Sequence, residues 1–147
     1  MNLHLKDFER YEKQIILKNI GLRGQKKIFN SKILIIGMGG LGCPLLTYLA
    51  TSGVGTLGIV DHDKIELNNP NRQTLFSVDD IGKYKVDQAK AKIIKLNNKI
   101  RVKTFKKKIN SHNIKNILKN YDIICDGTDN YETRYLINDQ CKRYKKI

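Results

Sequence analysis

The 147-residue sequence predicts an α/β fold with a doubly wound, mainly parallel, Rossmann-like sheet flanked by helices. Three observations lead to this prediction: four short apolar segments alternate with helical patterns, the first segment ends at a run of glycines, and no repeat or low-complexity linker interrupts the order. Strands that alternate with helices form parallel sheets through right-handed crossovers. We expect one domain over residues 1–147, truncated after about four strands and preceded by a helical segment over residues 1–30.

Apolar periodicity defines the first elements. Residues 8–29 predict two short helices that are broken near Gly21 to Gly24. The segment SKILIIG, residues 31–37, is apolar and stops at glycines, as a strand buried on both faces of a parallel sheet does. Leucines at helical spacing over residues 42–53 then predict a helix.

The later elements continue the same alternation of strand and helix. Strand-like runs are short and rich in β-branched residues, whereas helical runs repeat apolar residues every three to four positions. The predicted elements are a strand at 56–61, a helix at 83–97, a strand at 100–105, a short helix at 113–121, a buried strand at 121–126 and a helix from about Tyr131.

The formal net charge of +14 suggests a partner rich in phosphate, because basic surfaces attract nucleic acids and anionic membranes. However, most of the basic residues are lysines spread along the whole chain, which is the pattern expected from the codon bias of an A+T-rich genome. We therefore interpret the lysine runs as solvated surface and predict neither a nucleic-acid partner nor a membrane partner.

The cysteines and the apolar runs indicate the cellular compartment. Cys43, Cys125 and Cys141 form no CxxC pair, so neither a disulfide framework nor a zinc site is predicted. No apolar run approaches the length of a bilayer, and the first residues lack the core of a signal peptide. We expect a cytoplasmic protein, or one in the stroma of an organelle with an A+T-rich genome.

The run GMGGLG fits the nucleotide-binding pattern GxGxxG, since it follows a predicted strand and precedes a predicted helix. Its glycines permit a tight turn and a close approach of the backbone, and the helix N-terminus offers N–H groups to a phosphate. Asp61 ends the second strand about 20 residues later, where a carboxylate can bind ribose hydroxyls. Glycines that merely pack a helix on a strand are the alternative. The motif glycines are Gly37, Gly39, Gly40 and Gly42.

The polar stretch VDHDKIELNNPNRQ, residues 60–73, favours ATP over NAD or FAD. Asn69, Arg72 and Gln73 follow closely behind Asp61 and can return over the phosphates, and arginine offers a planar fork to phosphate oxygens. A solvated surface loop is the alternative interpretation.

Two lysines stand near the start of the helix that follows this stretch. Lys83 and Lys85 place positive charge at the positive end of the helix dipole, which is unfavourable unless an anion binds there. We therefore predict a negatively charged ligand. Side chains that simply extend into solvent are the alternative, and this alternative is more credible for Lys83 than for Lys85.

The segment DGTDN, residues 126–130, follows the fourth strand at the carboxyl edge of the sheet. Asp129 can therefore face the phosphates, and one carboxylate with phosphate oxygens and water satisfies Mg²⁺. Asp129 and Glu132 also have the spacing of a capping pair for the last helix, and the two roles are compatible.

Five segments together resemble the adenylating enzymes of the ubiquitin-activating superfamily, specifically the ThiF/MoeB group. The resemblance runs from about Arg10 to the end of the chain and implies a homodimeric enzyme that uses Mg-ATP. Such an enzyme adenylates the C-terminal Gly-Gly carboxylate of a small ubiquitin-like sulfur carrier, for molybdopterin or thiamine biosynthesis or a related thiolation. The segments are RYEKQIIL, GMGGLGCPLLTYLATSGVG, VDHDKIELNNPNRQTLF, IGKYKV and DGTDN.

The same resemblance implies roles for individual residues. The carrier's carboxylate is the nucleophile, so the protein is expected to supply positioning and electrostatic stabilisation rather than a nucleophile of its own. The implied roles are ATP binding by Gly39 and its neighbours, nucleotide binding by Asp61 and Asp63, binding and charge stabilisation of the triphosphate by Asn69, Arg72 and Lys85, and magnesium coordination by Asp129.

The chain departs from the family pattern in two ways. Lys13 stands where the family has an arginine that reaches the partner subunit's ATP site, and lysine lacks the bidentate fork. The family's sheet also continues for several strands and often carries a zinc site and a loop cysteine, to which none of the three cysteines can be matched. We expect a fragment, or a chain that pairs with a complementing polypeptide, whose fourth strand is an unpaired apolar edge.

Two other functions remain open. An NAD- or FAD-binding module would have no use for Arg72. A noncatalytic fragment that binds nucleotide, or that dimerises through the N-terminal helices, would bind nucleotide without pyrophosphate exchange.

Overall fold

The computed structural model describes residues 5–147, without the side chains of residues 5, 6 and 8. The strands in this range are β1 (Lys32–Ile36), β2 (Thr56–Val60), β3 (Arg101–Phe105) and β4 (Ile123–Asp126). The α-helices are α1 (Leu5–Ile15), α2 (Gly21–Asn30), α3 (Gly42–Thr51), α4 (Lys85–Leu96), α5 (Ile114–Leu118) and α6 (Tyr131–Arg143). The strands form one parallel sheet in the order β3-β2-β1-β4, which confirms the predicted Rossmann-like fold.

The core lies on both faces of this sheet, because successive side chains of a strand point to opposite faces. Ile33 and Ile35 of β1 pack with α3 and α4 on one face. Leu34 and Ile36 pack with α5 and α6 on the other face. The continuous apolar run of β1 is therefore explained by burial on both sides, as the sequence predicted.

The break between the two N-terminal helices lies just before the predicted glycines. The chain turns over residues 16–20, and α2 begins at Gly21, whose φ of +54° suits glycine. Gly24 lies inside α2 with its backbone close to the Ile20 side chain, so it does not break the helix. The first four residues of the predicted helical segment lie outside the described part of the chain.

The N-terminal helices pack near the amino ends of the strands, whereas the glycine run lies at the carboxyl end of β1. The amide of Asn97 donates to Tyr11 Oη at 2.9 Å and to the Ala50 carbonyl at 2.8 Å, and all three residues are buried. The amide of Gln25 donates to the Ser52 carbonyl at 3.0 Å. These bonds join α1 and α2 to the C-terminal ends of α3 and α4.

Strand β4 lies at the edge of the sheet and is half-buried, which corrects the prediction of a fully buried strand. No strand pairs with the outer side of β4 in the described chain, but the predicted unpaired edge is covered at one point. Lys145 adopts a φ of +50° and turns the chain back after α6, so that Ile147 lies beside β4. The Ile124 N–H donates to the Ile147 carbonyl at 2.7 Å, and the Ile147 N–H donates to the Asp122 carbonyl at 3.5 Å.

Within residues 5–147, the structure contains no helix with both the length and the apolar character needed to cross a lipid bilayer.

Candidate functional site

A cavity of about 520 Å³ lies at the carboxyl ends of the strands, where open α/β sheets bind ligands. Four segments enclose it: the glycine turn (residues 37–42), the polar loop (residues 61–84) with the start of α4, the residues that follow β3 and the residues that follow β4. Gly42 and Lys13, which the sequence also proposed, do not line this cavity. The predicted residues that do line it are Gly37, Gly39, Gly40, Asp61, Asp63, Asn69, Arg72, Lys85 and Asp129.

Glycine is required at the positions of the turn for different structural reasons. Gly37 has a φ of +94°, and a Cβ there would lie 2.8 Å from the Gly127 carbonyl oxygen. A Cβ on Gly42 would collide with the Gly37 carbonyl oxygen, so this glycine is required for packing at the start of α3. A Cβ on Gly39 would meet no atom within 4 Å, and this glycine leaves space on the cavity side.

Asp61 joins the end of β2 to the glycine turn. Its Oδ2 accepts the Met38 N–H at 2.7 Å, and its Oδ1 accepts the Asp63 N–H at 2.8 Å. Each carboxylate oxygen retains a lone pair, since each accepts one of these bonds. Asp61 is largely buried but lines the cavity, so it can still accept a hydrogen bond from a ligand hydroxyl.

The polar loop folds back over the glycine turn because Asn69 shapes it. Asn69 Oδ1 accepts the Glu66 N–H at 3.1 Å, and the Asn69 carbonyl accepts the N–H groups of Arg72 and Gln73. This turn lays the Arg72 stem near Gly40, where a Cβ would lie 3.6 Å from Arg72 Cγ. The buried Asn69 is therefore first a residue that shapes the loop.

The Arg72 guanidinium is fixed at one nitrogen only. Its Nη1 donates to the Asn68 carbonyl at 2.8 Å and to Asn71 Oδ1 at 3.1 Å. Within residues 5–147, Nε and Nη2 have no hydrogen-bond partner, so their N–H groups remain available to an anion in the cavity. The neighbouring Gln73 also lines the cavity, and its buried Oε1 has no partner in the described chain.

Lys85 supplies a second cation. It is the first residue of α4 and is 6% exposed, and its Nζ lies 3.0 Å from Asp63 Oδ2. The Lys85 N–H also donates to the Asp63 carbonyl at 3.1 Å, which fixes the two residues together. A nearly buried ammonium requires a negative partner, and Asp63 provides one in this structure. Lys83 is exposed and does not line the cavity.

The β4–α6 connection presents Asp129 at the rim of the cavity. Asp129 is exposed, and no donor in the described chain reaches its carboxylate. The predicted capping pair of Asp129 and Glu132 is wrong, because Asn130 Oδ1 accepts the Thr133 N–H at 2.9 Å and is the N-cap. Asn130 has the extended conformation that an N-cap needs.

Four further lysine and arginine residues that the sequence did not single out line the cavity: Lys64, Lys107, Lys108 and Arg134. Arg134 donates from Nε and Nη2 to the Thr128 carbonyl, at 3.0 and 2.8 Å, and so supports the loop that carries Asp129. The sequence feature that could have identified Arg134 is its place at the start of α6, four residues after Asn130. Lys107 and Lys108 belong to the lysine run that we interpreted as solvated surface.

A buried thiol and a cluster of three possible metal-ligand side chains also lie near the glycine turn and the polar loop. Burial raises the pKa of the Cys43 thiol to about 12, although the Lys85 ammonium opposes this shift, and Cys43 is fully buried in the core and outside the cavity lining, as a packing residue is. Asp61, His62 and Asp63 can each present one ligand atom within 4.8 Å of the others. Lys85 already neutralises Asp63 in this group.

The chain is similar to known proteins in sequence and in fold. The model of the ThiF family matches residues 11–147. The chain is 46% identical to the "Adenylyltransferase and sulfurtransferase MOCS3" of Drosophila willistoni over 95% of its length and 31% of that protein. It is 47% identical to the "Probable molybdopterin-synthase adenylyltransferase" of Porphyra purpurea over 97% of its length and 37% of that protein. The chain therefore spans about a third of the length of these curated relatives.

Among solved structures, the crystal structure of E. coli MccB with ATP superimposes on the chain with a TM-score of 0.83 and 32% sequence identity. The superposition covers 93% of this chain and 43% of MccB.

Proposed function

The chain belongs to the ThiF family, and from this premise we propose that it is the ATP-binding part of an adenylyltransferase. In the proposed reaction, ATP adenylates the C-terminal glycine carboxylate of a small ubiquitin-like sulfur-carrier protein that ends in Gly-Gly. The names of the curated relatives support both the adenylyl transfer and a place in molybdenum-cofactor biosynthesis or related thiolation. Thiamine biosynthesis is a further pathway for the same chemistry. We assign the protein to the cytoplasm, or to the stroma of an organelle with an A+T-rich genome.

One observation carries this proposal: two cationic residues, Arg72 and Lys85, line the same cavity as the glycine turn. Arg72 retains free N–H groups at Nε and Nη2, and the Lys85 ammonium is held by Asp63. Arginine binds phosphate oxygens through two parallel N–H groups, and lysine acts as a point charge. A nicotinamide or flavin dinucleotide gives no reason for two cations beyond the pyrophosphate turn, so the arrangement favours a triphosphate.

The chemistry needs little covalent help from the protein. A carboxylate oxygen of the carrier attacks the α-phosphorus of ATP, the bond to the bridging oxygen breaks, and pyrophosphate leaves with the electron pair. Arg72 and Lys85 hold the triphosphate and offset the negative charge that develops on the leaving oxygens. Asp61 accepts hydrogen bonds from the ribose hydroxyls and so orients the α-phosphate toward the carrier.

Asp129 is the residue that would hold Mg²⁺. Its exposed carboxylate has no donor from residues 5–147, and one carboxylate with phosphate oxygens and water is a common magnesium site. When bound, the metal neutralises phosphate charge and orients the oxygens.

Lys13 fits a role only in a second subunit. Its side chain is 87% exposed, pairs with Glu12 at 3.4 Å, and does not line the cavity of its own chain. Helix α1 packs against the C-terminal ends of α3 and α4, near the amino ends of the strands. The glycine turn lies at the opposite end, where the strands finish. We therefore propose that the chain acts as a homodimer or with a complementing chain, in which Lys13 of one copy approaches the nucleotide of the other.

Pyrophosphate exchange into ATP tests the proposal. Purified protein is incubated with Mg-ATP, labelled pyrophosphate and candidate Gly-Gly carriers, and Arg72→Ala and Lys85→Met are measured beside it. We expect exchange that depends on the carrier and falls about 100-fold or more in each variant, because each loses charge stabilisation of the transition state. The matched control is Lys83→Met, a lysine two residues away that is exposed and outside the cavity.

The outcomes separate the competing functions. Full exchange in Arg72→Ala would remove that residue from the proposed chemistry. ATP binding without exchange would favour a noncatalytic nucleotide-binding fragment. Tight binding of NAD or FAD, insensitive to Arg72→Ala, would favour a dinucleotide module.

A further inference from the structure

Helix α4 holds the polar loop at two points along one face. Lys85 and Lys92 are seven residues apart, which is about two helical turns and about 10.5 Å of rise. Each lysine pairs with a carboxylate of the polar loop. Lys85 Nζ lies 3.0 Å from Asp63, near the start of the loop, and Lys92 Nζ contacts Asp80, near its end.

In the second pair the carboxylate is buried, whereas the Lys92 side chain is about a third exposed. Asp80 is 5% exposed, and its Oδ2 accepts three donors: the Ser77 N–H at 2.8 Å, the Ser77 hydroxyl at 2.8 Å and the Lys92 ammonium. Burial opposes ionisation of Asp80, but the bonds from Lys92 and Ser77 outweigh it and lower the pKa to about 2. Asp80 is therefore charged at neutral pH and attaches the loop to α4.

Arg72 lies between these two attachments. The Phe76 N–H donates to the Gln73 carbonyl at 2.9 Å, and the Phe76 side chain is buried in the core. The chain from Arg72 to Asp80 therefore follows a short, hydrogen-bonded path with little slack. Lys85 is fixed on the helix itself, so the position of Arg72 relative to Lys85 depends on how the polar loop attaches to α4 and to the core.

We propose that Asp80 and Lys92 are positioning residues for the nucleotide site, which hold the polar loop on α4 so that Arg72 and Lys85 keep a separation suited to one polyphosphate. Neither residue lines the cavity, so the pair acts through Arg72 and not by touching the ligand. The inference rests on the proposed function only for the identity of the ligand as a polyphosphate.

The mechanical part of the proposal can be tested without any nucleotide. Amide hydrogen exchange is measured for residues 66–81 in the wild type, in Lys92→Met and in Lys95→Met. Lys95 is an exposed residue of the same helix that forms no ion pair in the described chain, so it is the matched control. We expect Lys92→Met to accelerate exchange in this segment about tenfold and to leave β1 and β2 unchanged. Unchanged exchange in residues 66–81 would overturn the proposal.

The functional part requires a double-mutant cycle between Lys92 and Arg72. The dissociation constant for inorganic triphosphate is measured in the wild type, Lys92→Met, Arg72→Ala and the double variant. We expect Lys92→Met to weaken binding about tenfold, equivalent to about 1.4 kcal/mol, and to have little further effect once Arg72 is absent. An equal loss in both backgrounds would overturn the proposal, because the pair would then act through general stability.

The two tests distinguish this inference from the proposed function. If the wild type binds inorganic triphosphate but shows no carrier-dependent exchange, the adenylation proposal fails and the positioning role is still measured. If exchange activity is present but Lys92→Met changes neither loop exchange nor triphosphate affinity, the positioning role alone fails. The variant Lys92→Arg keeps the charge, and we expect it to restore most of the wild-type affinity.

Discussion

At the scale of single residues, one short glycine motif combines two different requirements. Gly42 is needed because any side chain would strike the Gly37 carbonyl, whereas Gly39 has free space around it and faces the cavity. The sequence pattern alone does not separate these roles, since both positions are glycine. The structure does separate them, and the two roles predict opposite consequences for substitution.

We expect Gly39→Ala to leave the free energy of unfolding nearly unchanged and to weaken ATP binding at least tenfold. The added methyl group meets no protein atom but occupies space that a phosphate would approach. Gly42→Ala should instead lower the free energy of unfolding by about 2 kcal/mol or more, because the turn must shift. Urea unfolding and isothermal titration with ATP check both. Equal destabilisation by the two variants would contradict the assignment.

For Arg72 and Lys85, the sequence predicted the location of each residue but not its contacts. Their positions behind Asp61 and at a helix start indicated a phosphate site, and both residues line the cavity. The hydrogen-bond and ion-pair partners that the two side chains have in this structure were not predictable. Lys85 pairs with Asp63 across 22 positions of sequence, and that contact depends on how the polar loop folds.

At the scale of elements, the polar loop is an ordered structure and not a solvated connection. Asn69 closes a turn, Phe76 packs in the core, and a 3₁₀ turn over Val78–Asp80 is closed by a capping box between Ser77 and Asp80. A loop of this length lacks the strong periodicity of a helix or strand, so sequence patterns say little about its path. Its order matters because it carries Arg72.

The stability contributed by Asp80 should depend on pH. The folded-state pKa of about 2 lies below the ordinary value of 3.8, so this contribution is complete above about pH 4 and is lost as the pH falls through 2. We expect Asp80→Asn to be less stable than the wild type by about 2 kcal/mol at pH 7. The difference should shrink toward pH 2, as measured by urea unfolding across this range. Asp79→Asn, at the exposed neighbouring position, is the control, and a difference that is constant with pH would argue against the assigned pKa.

At the scale of the whole molecule, charge is the dominant feature. The chain carries 28 lysine and arginine residues against 14 acidic residues. Some of this charge is paired, as in the contacts of Lys106 with Asp87 and with the Tyr84 ring. The excess of positive charge nevertheless repels itself in the compact state, and salt screens this repulsion.

We therefore expect the midpoint of thermal unfolding to rise by several degrees between 0.05 and 0.5 M NaCl, because the Debye length falls from above about 10 Å to a few ångströms. Differential scanning fluorimetry in NaCl and in KCl measures this, and the two salts should act alike if screening is the cause. A midpoint that falls with salt would mean that the ion pairs outweigh the self-repulsion.

The sequence by itself determined the order of strands and helices, the parallel sheet, the family and many of the residues that line the cavity. These are local patterns of apolar spacing and glycine placement, and a parallel sheet brings the ends of neighbouring strands to one edge whatever the details.

Only the tertiary structure decided that Asn130 and not Asp129 caps α6, that Ile147 lies beside β4, and that Asp63 and Asp80 attach the polar loop to α4. Each of these depends on contacts between residues distant in sequence or on the conformation of one residue. Such contacts are selected by the burial and charge of the assembled fold, so no local pattern encodes them.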